Sequence, residues 1–497
     1  MNNDKTLPGY KIIFGYLGLF LIVIGIVNLL PLVMLICFPN EWKEAWHYLL
    51  PGVGSIGLGI GLYQLIKGKN NVTTLKNQDA IIVTISWLLA MVIGAIPYMF
   101  EYTFSQSIFE TTSALTTTGF SILNLATLSK TLTFHRILLT LIGGIGIMLI
   151  MLVFLRDKRG MRLYSSEGHT DKLLPNLINS SKAIFKIYIG YILGGIFLYM
   201  ILGMNWFDAI CHSVNAVATS GFSNKVGGIS YYNNLGIEIV TIILMLLGSI
   251  NFLVQFMLIK GKWKNFFKYC ETKAMGIIYG ISFVLIAFLL VKTTNLNVAE
   301  SFRSSIFHSV STLTSTGYVT MNTNVPELSS SIILILLLLM FIGGGVSSTA
   351  GGIKVYRIHI MVKDFFWNIK DKFINKNVVS MHFIQKAEES VAVDNEERNS
   401  VKTFILLYIT ITVILTFLLS LYGYDLLDCL FEVASSMGNM GLSMGIISPL
   451  ASSGVLWIST IGMIVGRLEI IVILMAFIQI GKKIKDTLQS KKIRTSV

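Results

Sequence analysis

The sequence predicts an all-α polytopic membrane protein: an N-terminal two-helix hairpin, then four parallel repeats of span, re-entrant pore loop and span around a central pore, with about ten spans in all. Three observations predict it. Of the 497 residues, 54% are hydrophobic and only 13% charged, and an uncharged run of about 18 or more residues is long enough to cross the hydrocarbon core as a helix. Polar stretches rich in Ser, Thr and Gly recur between such runs at nearly even spacing. The basic residues concentrate on alternate connections.

The hairpin covers Ile12 to Lys67. Its first run, Ile12 to Cys37, is longer than a signal-peptide core and is followed by no small-residue cleavage pattern, so it reads as a retained span. The second contains "GVGSIG" at 52–57, which has the spacing of a dinucleotide fingerprint but lies in an apolar span with no preceding strand. Gly52, Gly54, Gly57, Gly59 and Gly61 are instead expected to permit close helix packing.

The repeats show in "FETTSALTTTGF" from Phe109, "CHSVNAVATSGF" from Cys211, "FHSVSTLTSTGY" from Phe307 and "FEVASSMGNMGL" from Phe431. In each, a glycine follows a Glu or His by nine positions: Glu110 to Gly119, His212 to Gly221, His308 to Gly317, Glu432 to Gly441. The flanking spans are expected at 79–100 and 134–155, 183–203 and 235–259, 274–292 and 329–360, and 401–422 and 452–480. Two crossings return the chain to its starting side, so all copies share one orientation and can surround an axial pore.

Each polar stretch begins with about ten residues of helical propensity and then reaches its glycine. Non-helical backbone at membrane depth is tolerated only where it is buried in protein or lines a water-filled cavity, which makes these segments re-entrant loops. Glycine admits positive φ and lets successive carbonyls face one axis. Rings of carbonyls can replace the hydration shell of a monovalent cation, aided by the C-terminal dipoles of the short helices. The filter candidates are Thr117, Thr118, Gly119 and Phe120; Thr219, Ser220, Gly221 and Phe222; Ser315, Thr316, Gly317 and Tyr318; and Asn439, Met440, Gly441 and Leu442. Glu110, His212, His308 and Glu432 either hydrogen-bond within and between the short helices or meet the ion.

The net charge of +13 does not call for nucleic acid. Lys and Arg concentrate at Arg156–Arg162, Lys260–Lys273, Lys354–Lys376 and Lys482–Arg494, and the positive-inside rule puts those clusters and both termini in the cytoplasm. Cys37, Cys211, Cys270 and Cys429 are far apart, and the histidines show no ligand spacing, so neither a disulfide framework nor a metal site is expected. No P-loop, H-E-x-x-H or paired acid/base constellation points to an enzyme. "KAEESVAVDNEERNS" at 386–400 mixes both signs and reads as a solvated cytosolic linker, with a docking surface as the other reading.

Two features lie apart from the loops. "GGGVSSTAGG" interrupts the second span of repeat three after about a dozen apolar residues. So dense a Gly/Ser run frees backbone groups that need partners, which places Gly343, Gly344, Gly345, Ser347, Ser348, Thr349, Gly351 and Gly352 in a loop inside the cavity below the filter. Arg467 lies midway along the last expected span, and an intramembrane arginine is costly enough to make function the default. A pair with Glu469 is disfavoured, because residues two apart on a helix point to different faces.

With "TTTGFS", "ATSGFS", "TSTGYVT" and "GNMGLS" in register, together with "LIGGIGIMLIML", "GSINF", "GGGVSSTAGGIKVYR" and "GRLEI", the chain resembles the Trk/Ktr/HKT superfamily of potassium transporters over about residues 79–480. Its added hairpin is most similar to the TrkH-type membrane subunits. The resemblance implies K+ as the transported ion, held at the filter residues alone, with no organic cofactor in this chain. It implies that the intramembrane loop is a gate and that Arg467 is an electrostatic barrier below the filter. It further implies a homodimer in the cytoplasmic (inner) membrane and a cytosolic RCK-type ring of the TrkA or KtrA kind, carrying a nucleotide of the NAD, ATP or ADP class. The fourth loop departs from the pattern, since Asn439 and Met440 precede Gly441.

The expected division is 1–78 for the hairpin, 79–160, 161–262 and 263–362 for the first three repeats, 363–400 for a cytosolic connection, and 401–497 for the fourth repeat with its basic tail. Two competing functions remain. One is Na+ passage or Na+/H+ coupling within the superfamily, against which Gly119 argues, because a serine there favours Na+ in plant relatives. The other is the potassium-translocating subunit of a P-type ATPase complex, against which "STAGGIKVYR" and "GRLEI" argue.

Overall fold

The computed structural model describes residues 9–67, 78–146, 149, 177–294, 296–320, 328–373, 381–386 and 389–494, the last dozen as backbone only. The hairpin is α1 (Gly9–Leu29) and α2 (Ala45–Tyr63). They cross where glycines remove side chains: a Cβ on Gly18 would lie 2.7 Å from the Gly59 carbonyl, and one on Gly25 2.8 Å from that of Gly52. Gly54, Gly57 and Gly61 face open space, so the packing role expected of all five glycines belongs to Gly52 and Gly59. Glu41 fastens the hairpin to the first repeat, its carboxylate accepting from the Lys130 and Thr131 amides at 2.9 and 2.8 Å. His135 and Asn28 add a buried contact of 3.0 Å.

The repeats follow as three-helix units. These are α3 (Gln78–Ala95), α4 (Phe104–Leu115) and α5 (Lys130–Ile145); α6 (Leu177–Ile201), α7 (Trp206–Val217) and α8 (Leu235–Ser249), the last continued by α9 (Phe252–Ile259). Then come α10 (Cys270–Thr293), α11 (Val298–Leu313) and α12 (Ser330–Ile342), and finally α14 (Asn395–Ser420), α15 (Leu426–Gly438) and α16 (Ser453–Arg467), continued by α17 (Ile470–Arg494). Between the third and fourth units, α13 (Val355–Asp371) precedes a hairpin of β1 (Phe383–Lys386) and β2 (Glu389–Ala392), antiparallel with Phe383 opposite Ala392. Among the described residues this is the one sheet in an otherwise helical molecule.

Each short middle helix starts at a side-chain cap: Thr103, Asn205, Asn297 and Asp425 each accept from an amide of the first turn. Such caps satisfy amides that a helix start leaves without partners. Among the described residues, five helices are long and apolar enough to cross a membrane, and seven if each of two bent pairs counts as one span.

Those bends correct two expectations. The run 235–259 is broken at Ile250–Asn251 by 113°, and 452–480 at Leu468–Glu469 by 102°. Asn251 caps α9 through the Leu253 amide at 2.8 Å, so the break is a built helix start and not a loose kink. Arg467 therefore ends α16 instead of lying midway along a span. In the first repeat α5 stops at Gly146, with φ +92°, and most of the expected 134–155 span beyond it lies outside the described residues, as does the Arg156–Arg162 cluster. The third break comes at Gly343, after 13 residues of α12, where the Gly/Ser run led us to place it.

The 386–400 segment is more ordered than a solvated linker. It forms β2 and the start of α14, where Asp394 caps through the Glu397 amide at 2.7 Å. Asp364 on α13 pairs with Arg398 and, at 2.7 Å, with Lys402 of α14. His382 stacks on Trp367 with ring centroids 4.6 Å apart.

Candidate functional site

The four loops after α4, α7, α11 and α15 share one backbone. The amides of Thr118, Ser220, Thr316 and Met440 each donate five residues back, to the carbonyls of Ser113, Asn215, Ser311 and Ser435, all at 2.9 Å. Two residues before each glycine, Thr117, Thr219, Ser315 and Asn439 have φ of +56°, +54°, +52° and +50°. The glycines follow at +90°, +69°, +81° and +81°. Left-handed backbone at a threonine is a genuine outlier, costing about 1–3 kcal/mol and persisting only where the surroundings over-determine it.

What over-determines it is contact between loops. A Cβ on Gly119 would lie 1.7 Å from the Ser220 carbonyl oxygen, one on Gly221 2.1 Å from that of Thr316, one on Gly317 1.8 Å from that of Met440, and one on Gly441 2.3 Å from that of Thr118. The series runs from first loop to second, third and fourth, then back to the first. The four segments thus close a ring in which each glycine touches the carbonyl of the next loop, and no side chain fits at any of the four positions.

A model of the TrkH family, described as cation transport protein, matches residues 49–485. The chain belongs to the TrkH family of cation transport proteins. It is a multi-pass membrane transporter and not an enzyme. It is 30% identical over 480 residues to the Trk system potassium uptake protein TrkG of Escherichia coli, covering 92% of this chain and 96% of that one. It is 28% identical to an uncharacterized cation transporter of Methanocaldococcus jannaschii, covering 94% of each. The crystal structure of the potassium transporter TrkH from Vibrio parahaemolyticus shares the fold, with a TM-score of 0.82 at 23% identity over 94% of this chain and 98% of that one.

In this TrkH-family chain, the two ends of the ring are held differently. At the end distal to the helices, Glu110 accepts from the Ser121 hydroxyl at 2.8 Å and the Ile122 amide at 3.2 Å, and Glu432 accepts from the Ser443 hydroxyl and the Met444 amide, the latter at 3.0 Å. His212 Nε2 lies 3.2 Å from the Ser223 hydroxyl, and its Nδ1 2.9 Å from the Asp208 carbonyl. His308 Nδ1 lies 2.7 Å from the Ser304 carbonyl. The ring Nδ1 contacts of His212 and His308 stay within their own helices, whereas these partners of Glu110, Glu432 and His212 Nε2 lie in the segments beyond the glycines. Ser113 and Ser311 do equivalent work, donating to the Phe120 and Tyr318 carbonyls at 2.7 Å each.

At the helix-proximal end the loop 343–354 packs against the ring. The Gly351 amide donates to the Ser315 hydroxyl at 2.6 Å, and the Thr349 hydroxyl lies 3.1 Å from that of Thr219. Gly343 (φ +70°) and Gly352 (φ +82°) lie back to back as the segment reverses, with Lys354 N donating to Ile342 O at 2.9 Å. Gly344 and Gly345 lie against Ser249 of α8, whose carbonyl accepts from the Gly345 amide at 2.9 Å. Ser347 O accepts from the Phe252 amide at 3.3 Å, and the Ser348 hydroxyl donates to Gly345 O at 2.6 Å. Freed backbone groups thus find partners inside the protein, as membrane depth requires.

Arg467 reaches this loop. Its guanidinium donates to the Thr349 carbonyl at 2.6 Å and to the carbonyls of Gly143 and Gly144 at the end of α5, the latter at 3.1 Å. Glu469 pairs with Arg357, at 2.6 Å; the helix-face argument does not apply, since α16 ends at Arg467 and Glu469 lies in the bend beyond it, with φ +57°. Arg467, Lys354, Arg357 and Glu469 line a small cavity beside Ser347 and Gly351. Two arginines face one carboxylate there, so its wall is positive.

The fourth loop, which lacks threonine, is tied in by Asn439: its amide donates to the Thr118 hydroxyl and the Met463 carbonyl, both at 3.0 Å. Sequence reasoning missed Arg136. This residue is 2% exposed and binds Glu110 at 3.0 Å. Its signal was plain, a charge inside the expected span 134–155, but the apolar count of that span hid it.

Proposed function

We propose that this chain takes up K+ across the cytoplasmic membrane through a filter built from residues 117–120, 219–222, 315–318 and 439–442. The observation that carries the reading is the closed ring of glycine-to-carbonyl contacts. Carbonyls held at fixed separation around one axis replace the hydration of a monovalent cation without a carboxylate in its path. Thr117 Oγ1 and Ser220 Oγ are buried with no hydrogen-bond partner among the described residues, which suits groups facing an ion or water.

Segment 343–352 is the gate in this reading. It plugs the helix-proximal end of the ring, and Arg467 adds a positive barrier while holding the plug through the Thr349 carbonyl. K+ is the cargo. The family resemblance supports a homodimer whose basic cytosolic faces dock an RCK-type ring carrying the regulatory nucleotide, with both termini cytoplasmic. The names of the Trk relatives support potassium as the ion.

The test is cation flux into liposomes holding this chain alone, under K+, Rb+ and Na+ gradients at fixed pH without ATP. K+ and Rb+ are expected to pass well ahead of Na+, and the Arg467→Ala chain is expected to conduct several-fold faster. Equal passage of Na+ overturns the filter reading, and an unchanged rate in Arg467→Ala removes the barrier. A chain that stays silent until a pump partner and ATP are supplied favours the P-type ATPase subunit.

A further inference from the structure

We infer that Arg136 is a positioning residue that sets cation discrimination by clamping the distal ends of the first and second loops to one another. The inference rests on the filter reading above. Arg136 lies on α5, in the first repeat, and is almost wholly buried. One guanidinium nitrogen donates to Glu110 Oε1 at 3.0 Å and to the Ser121 hydroxyl at 3.2 Å. The other crosses to the second repeat and donates to the Ser223 carbonyl at 3.0 Å. The guanidinium carbon also lies 4.5 Å from the centroid of the Phe222 ring, a cation–π distance.

Both loops are therefore gripped just past their glycines by one rigid, planar group. On its other side the second loop is gripped by the third, since the Tyr318 hydroxyl donates to the Phe222 carbonyl at 3.0 Å. Phe222 and Ser223 are thus fixed from both neighbours, and Gly221 immediately precedes them in the ring. A ring that selects by carbonyl placement depends on how stiffly those carbonyls are held, and a charge-assisted fork supplies stiffness that single neutral hydrogen bonds do not. Glu110 serves the same clamp: it keeps the cation from facing the ring uncompensated. The fourth repeat carries the carboxylate too, but there Glu432 is held by the Ser443 hydroxyl and the Met444 and Ile446 amides.

The geometry separates charge from shape. Lysine keeps the charge beside Glu110 but cannot fork to Ser121 and the Ser223 carbonyl together. The experiment compares wild type, Arg136→Lys and Arg136→Gln in liposomes, reading the K+/Na+ permeability ratio and, in parallel, thermal stability in detergent. Arg136→Lys is expected to melt close to wild type yet lose about tenfold in the ratio. Arg136→Gln is expected to lose at least as much. A folded Arg136→Lys chain with an undiminished ratio overturns the inference, whether or not Arg136→Gln assembles. A loss of stability in Arg136→Lys with the ratio intact assigns Arg136 a merely structural part and overturns it as well. A wild-type chain that does not discriminate between the ions overturns the filter reading and this inference together.

Discussion

At the scale of single residues, the molecule turns on four glycines whose missing side chains are occupied by a neighbour's carbonyl. Gly317 is the sharpest case, because its φ is +81° and a Cβ would fall 1.8 Å from the Met440 oxygen. Both strain and collision are backbone matters that no rotamer relieves. Gly317→Ser is expected to cut K+/Na+ discrimination by about tenfold or more, checked by competitive Rb+ uptake. Undiminished discrimination there would place the selecting atoms elsewhere. These glycines were legible because they recur in register. Arg136 was overlooked although its charge stood in an apolar run, because a single charge carries no period and its partners Glu110 and Ser223 lie 26 and 87 positions away.

At the scale of elements, the helices were read well and their breaks poorly. The run "GSINFLVQFMLI" stays apolar through the 113° bend, so composition continues where the helix does not. The available signal was Asn251, a good cap placed where a span should not start. The break at Gly343 was legible for the opposite reason: "GGGVSSTAGG" cannot hold a lipid-facing helix. Its exit helix α13 docks on α14 through Asp364, where burial alone would push the carboxyl up but hydrogen bonds from Lys402 and Arg398 outweigh it and hold it below the usual 3.8. A depressed carboxylate contributes stability that is present above the unfolded value and lost as the pH falls through the folded one. Amide exchange in α13 is therefore expected to be slow at neutral pH and to accelerate below about pH 4, relative to the intrinsic rate. In Asp364→Asn it should be fast at both. An α13 equally protected in wild type and variant at neutral pH would show that this cluster does not hold the helix.

At the scale of the whole molecule, pseudo-fourfold order and its departures have separate physical origins. The order comes from four loops that share one hydrogen-bond pattern, each with a glycine nine positions after its Glu or His in the sequence. The departures come from side chains that meet only after folding: Asn439 reaching Thr118 across 321 positions, Arg467 reaching Gly143 across 324, and the single clamp at Arg136. These contacts join the first repeat to the second and fourth, and the segment 343–352 packs against the second and third loops of the ring through Thr349 and Gly351. The central claim is that this ring holds the transported cation. Its most direct test is anomalous diffraction from crystals of the chain grown in Rb+ and then exchanged into K+ or Na+. The account predicts Rb+ peaks on the axis between the carbonyls of Thr118, Ser220, Thr316 and Met440, displaced by K+ but retained against Na+. An axis without peaks, or peaks that Na+ removes as readily as K+, would contradict it.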